Sequence, residues 1–62
     1  MRSRDVISKI AAEGWVEVRQ SGSHKQFRHP RKPGTVTVPH PKSDMPTGTL
    51  KSIEKATGVV LR

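Results

Sequence analysis

The sequence predicts an α+β domain of order α-β-β-β-α, a three-stranded antiparallel sheet with two helices on one face. Three observations predict it. The apolar period changes from about 3.6 to about 2 at Gly14. Turn signals at Ser21-Gly22 and across Pro30–Gly34 then cut the alternating stretch into three strands. A second stripe of helical period follows a proline-rich loop.

The first helix is read over "SRDVISKIAAEG", where Val6, Ile7, Ile10 and Ala11 recur at helical spacing and Arg4, Lys9 and Glu13 fall off the stripe. Ser3 is placed as its N-cap, Asp5 suits the positive end of the helix dipole, and Gly14 is the stop. "WVEVRQ" alternates Val16 and Val18 with Trp15, Glu17 and Arg19. "HKQFRH" and "TVTV" supply the second and third strands, separated by the breakers and charges of "PRKPG". "PHPKSDMP" is a loop, since three prolines remove ladder donors. In the second helix Leu50, Ile53 and Ala56 share a side, Asp44 or Thr47 caps it, and Gly58 stops it. "VVLR" is an apolar tail expected to pack back on the sheet.

At 62 residues the chain is expected to be one domain, spanning 1–62. A domain of that size buries only about 60% of its unfolded surface, so its core is thin and its chemistry belongs on an open face. Twelve Lys and Arg against five Asp and Glu give +7, which calls for an anionic partner. No apolar run approaches the roughly 20 residues a bilayer needs, and the N-terminus is unlike a signal peptide. No membrane role is expected, and a cytoplasmic protein fits. There is no cysteine, and three histidines without a close-spaced pair do not make a zinc site, so no metal or cofactor is expected.

A two-residue loop at Ser21 and Gly22 pairs Arg19 with His24 and Val16 with Phe27. Val16, Val18 and Phe27 then share the buried face. The open face carries His24, Gln26 and Arg28 beside Trp15, Glu17 and Arg19, with Thr35 and Thr37 from the third strand. A histidine on a cationic sheet face suits RNA strand cleavage, because imidazole titrates near neutrality and can move the protons the reaction needs. From spacing alone, an exposed hairpin histidine is also ordinary.

Arg19, Lys25, Arg28, Arg31 and Lys32 are the candidate phosphate contacts, although a basic run is usually a solvated loop. His29 and His40 are candidates for a second proton-transfer group, with plain loop residues the simpler reading. Trp15 either stacks on a base at the open face or packs against the first helix.

"GW", "GSHKQFRHP" and "PGTVTVPHPKSDMPTGTLKSI" together resemble the HicA (YcfA-like) family of bacterial toxin RNases, over essentially the whole chain. The resemblance implies a double-stranded-RNA-binding-domain-like fold and metal-independent mRNA cleavage that inhibits translation. It also implies neutralisation by a HicB-type antitoxin, with the toxin itself monomeric outside that complex. The family's catalytic histidine falls on His24, and Gly22 and Ser23 complete its motif. The alternative is a non-catalytic RNA-binding module on the same basic face. Both predict salt-sensitive RNA binding, and only the first predicts broken strands.

Overall fold

The computed structural model describes residues 1–61; Arg62, the last residue of the apolar tail, lies outside the described residues. Helix α1 (Ser3–Ala12) is followed by strands β1 (Val16–Ser21), β2 (His24–His29) and β3 (Lys32–Pro39), then by helix α2 (Thr47–Thr57). The strands form one antiparallel sheet in the order β1-β2-β3. The predicted element order is the observed one.

A single core lies between the helices and one sheet face. Val6 and Ile10 come from α1, Leu50 and Ile53 from α2, and Phe27, Val36 and Val38 from β2 and β3. Trp15, Met45 and Leu61 close its margins from outside the regular elements. The tail does pack back as expected: Leu61 is buried and its N–H donates to Glu54 Oε2 at 2.8 Å, while Val60 points to solvent.

The helix ends differ from the sequence reading in ways the hydrogen bonds explain. Ser3 is the first helical residue rather than the cap, and Arg2 holds the cap position. The buried Ser3 hydroxyl is drawn away by two long-range partners, Lys42 N–H at 2.9 Å and His40 Nδ1 at 2.8 Å. Pro46, not Asp44 or Thr47, precedes α2, and no side chain caps it. At the other end Ala56 is exposed and Thr57 is buried in its place. Burial of Thr57 is permitted because its hydroxyl donates to Ile53 C=O at 2.7 Å and accepts from Val59 N–H at 3.1 Å. Gly58 adopts φ 75 and ends the helix as expected.

The first hairpin is corrected by its turn. The two loop residues are Gly22 and Ser23, since Ser21 pairs with His24 and Gln20 with Lys25. Gly22 has φ 58 and among the described residues no non-glycine has positive φ, the pattern of a type II′ turn with glycine first. A loop at Ser21-Gly22 would instead have needed positive φ at serine for the type I′ alternative. Arg19 therefore faces Gln26, not His24.

A β-bulge between Glu17 and Arg19 then shifts the register once more, so that Glu17 pairs with Phe27 and Val16 with Arg28. The bulge turns Val16 and Val18 out of the core, leaving them 59% and 54% exposed. The expectation that they share the buried face is overturned; Phe27 keeps its place at 2% exposure. The second turn is also tighter than the breakers suggested. His29 pairs with Lys32, so Pro30 and Arg31 alone make the turn, and Pro33 and Gly34 lie within β3.

Phe27 is the only phenylalanine of a chain with two aromatic residues, and it sits at the centre of the sheet. Phe27→Ala should cost about 3–5 kcal/mol, as in other buried sites, whereas Val18→Ala on the exposed bulge should be nearly neutral. Chemical denaturation of the two variants checks this pair.

Candidate functional site

Because Phe27 points into the core, strand alternation sends His24, Gln26 and Arg28 to the opposite, helix-free face. Thr35 and Thr37 stand beside them on β3, both exposed, as expected. The bulge adds Val18 and keeps Arg19 on this side. Val18, Arg19, Gln26, Arg28 and Thr35 line a shallow open trough of about 440 Å³. His24 is exposed at the turn end of the same strand, paired with Ser21 on one side and Pro39 on the other.

The five cations expected to hold phosphate divide into two groups. Arg19, Arg28 and Arg31 are exposed, and among the described residues no ion pair engages their guanidinium groups. Lys25 is committed elsewhere, on the helix side of β2. Its ammonium donates to both oxygens of Glu17 at 2.9 and 3.1 Å and to Gln20 Oε1 at 3.0 Å, which uses all three of its protons. Lys32 donates to Thr57 C=O at 2.9 Å, where a cation suits the negative end of α2. The structure brings Arg19 and Arg28 to the trough and leaves Lys25 and Lys32 bracing the fold.

The histidines separate just as clearly. His29 Nδ1 accepts from Arg31 N–H at 3.0 Å, so the remaining nitrogen carries the proton, and Nε2 donates to Glu13 C=O at 2.9 Å. Both nitrogens are occupied, and five residues of strand put His29 about 17 Å from His24. It cannot act on the same phosphate. His40 lies at the His24 end: its N–H donates to Ser23 C=O at 2.6 Å. The buried Ser3 hydroxyl lies 2.8 Å from His40 Nδ1, and which of the two donates depends on the imidazole tautomer. His40 follows directly on β3 and is half-buried.

Trp15 is not on the open face. It is 2% exposed, its Nε1 has no hydrogen-bond partner among the described residues, and its ring meets the His29 ring edge-on at 5.3 Å. Of its two sequence readings, packing is the observed one, and no base can stack on it. Gln26 was legible as an open-face residue but not as part of a site; its parity with His24 is the signal. The Ser3–His40 contact joins residues 37 positions apart, and no local pattern announces it.

These features define a small α+β domain that presents an exposed histidine and free arginines on a bare sheet face. A family model described as the HicA toxin of bacterial toxin-antitoxin systems matches residues 3–59. The chain belongs to that family. Among solved structures, a chain of a "HicA3 and HicB3 toxin-antitoxin complex" is similar at 29% identity and a TM-score of 0.80, with all of both chains covered. No curated protein matched.

The "GW" of the sequence now has a physical account. Gly14 adopts φ 99, and a Cβ there would come within 2.7 Å of His29 Nε2, the atom that holds Glu13 C=O. Gly34 has φ 86 but open space around it. Both Gly14→Ala and Gly34→Ala should carry backbone strain of order 1–3 kcal/mol, and Gly14→Ala should be the worse because it also expels His29. Comparison of their urea midpoints isolates the contact from the strain.

Proposed function

We propose that this HicA-family toxin is an RNA endonuclease in which His24 transfers a proton during strand cleavage. The observation that carries the reading is the exposed His24 on the open face of β2, in line with the free Arg28 and diagonal to Arg19, which pairs with Gln26. In the step envisaged, a base takes the proton of the 2′-OH and that oxygen attacks the adjacent phosphorus. The 5′-oxygen then leaves with a proton from an acid, producing a 2′,3′-cyclic phosphate and a 5′-hydroxyl. Imidazole serves in either role, and guanidinium groups stabilise the added phosphorane charge. His24 is one proton-transfer group; His40, at the same end of the sheet, is the better placed of the other two histidines.

The reaction needs no metal in this scheme, and cleavage should persist in EDTA. His24→Ala should stay folded, since an exposed side chain contributes little packing, and should retain RNA binding through the arginines. Its cleavage rate should fall by at least about 100-fold, the lower limit for general acid–base catalysis. A folded His24→Ala protein that cuts at the wild-type rate would remove His24 from the chemistry.

An antitoxin partner is part of the same proposal. The solved relative is a HicA3–HicB3 complex, and the bare cationic face here suits an acidic surface that would cover His24, Arg19 and Arg28. RNA binding should weaken with log salt by about 0.7 per phosphate contact on single strands. Arg28→Ala should reduce that slope by about one contact. Lys25→Ala should leave it nearly unchanged, because the Lys25 ammonium is held by Glu17 and Gln20. Equal losses of slope from the two variants would overturn the division of cations described above.

A further inference from the structure

We infer that the trough beside His24 is a base-reading subsite, with Gln26 as its specificity-determining residue and adenine as the preferred base. The inference rests on the RNA-cleaving reading of this face and goes beyond it by naming what the site reads. Gln26 is half-buried at the centre of the trough, and among the described residues no hydrogen bond engages its carboxamide. A carboxamide that is partly shielded from water and unpaired has one acceptor oxygen and two donor protons to offer a ligand.

The placement suits a nucleotide next to the reacting phosphate. Gln26 lies two residues from His24 on the same face, a separation of about 6.7 Å along the strand, comparable with one nucleotide step. Arg19 stands directly across the hairpin from Gln26, and Arg28 follows it on β2. The trough volume of about 440 Å³ falls within the usual range for small-molecule sites. Trp15 and Phe27 are both buried, so a base on this face finds neither ring to stack on. Its faces must instead meet guanidinium planes, which serve that purpose in RNA recognition, and the exposed valine of the bulge.

Hydrogen-bond complementarity selects the base. The carboxamide pairs with any edge that sets a donor beside an acceptor. Adenine alone does so on both edges open in a single strand: N6–H with N1 on one, N6–H with N7 on the other. Guanine shows two acceptors on its N7 edge, which leaves the Gln26 oxygen unpaired there. A glutamate at the same position has only acceptors, and it would favour guanine instead, whose Watson–Crick edge sets N1–H beside N2–H.

Binding of short oligonucleotides tests this independently of cleavage. The titrations use the His24→Ala protein, so that the RNA stays intact, with uridine oligomers carrying one central adenine, cytosine or guanine. Adenine should bind more tightly than uridine, which offers the carboxamide a donor beside an acceptor on its N3–H edge alone. Adding Gln26→Ala should abolish the preference, and Gln26→Glu, nearly isosteric, should move it to guanine; circular dichroism confirms that each is folded. No adenine preference, or a preference that survives Gln26→Ala, would overturn the inference, as would an equal loss for every oligomer. A parallel digestion with the His24-containing protein reports the nuclease reading separately. Absence of cleavage there would sink that reading while the binding titrations still decide the subsite.

Discussion

The parity of one strand governs this molecule. β2 is central, paired on both sides, and Phe27 is its one residue buried in the core. With a side-chain period of two, an inward Phe27 forces His24, Gln26 and Arg28 outward together. A one-residue slip would bury a histidine and an arginine and expose the only phenylalanine. The hydrophobic anchor and the candidate site are therefore the same constraint seen from the two faces of a strand. In a domain whose core is this small, the site needs no other support to face solvent.

β1 shows how the chain preserves that parity while its own alternation conflicts with it. Continued without a break from the turn, the observed pairing would set Val18 opposite Phe27, facing the helices. The bulge instead brings Glu17 opposite Phe27, where its carboxylate reaches Lys25 at 2.9 Å. Val18 and Arg19 are both left on the trough side. Bulges commonly re-aim side chains in this way. The result is an edge strand with two exposed valines and a free arginine, on a face where an apolar floor beside a cation suits a flat anionic ligand.

Much of this was legible in the sequence, and the misses share a cause. The element order, the inward Phe27, Val36 and Val38, and the outward His24, Gln26 and Arg28 follow from period and turn signals that are local. The reading failed at Val16 and Val18, because alternation is a statement about one strand and a bulge is a property of two. It placed the hairpin loop one residue early, because "SG" marks a turn without saying which of its residues takes positive φ. Trp15, Ser3 and Thr57 were missed or left open for a different reason. Their burial depends on partners distant in sequence, such as Lys42 and His40 for Ser3, that no local pattern reveals.

Net charge was the least informative signal about the site. The value of +7 treats all cations alike, whereas the fold uses them differently. Lys25 sits 18% exposed between Glu17 and Gln20, and Lys32 closes the end of α2, so both help to hold the sheet and helices in register. Arg19 and Arg28 do neither, and they flank Gln26 in the trough. Lysine can be spared for bracing because its compact ammonium is satisfied by a few point contacts, while the planar arginine fork matches phosphate and stacks on bases. Among these four cations the two lysines brace the fold and the two arginines stay on the bare face.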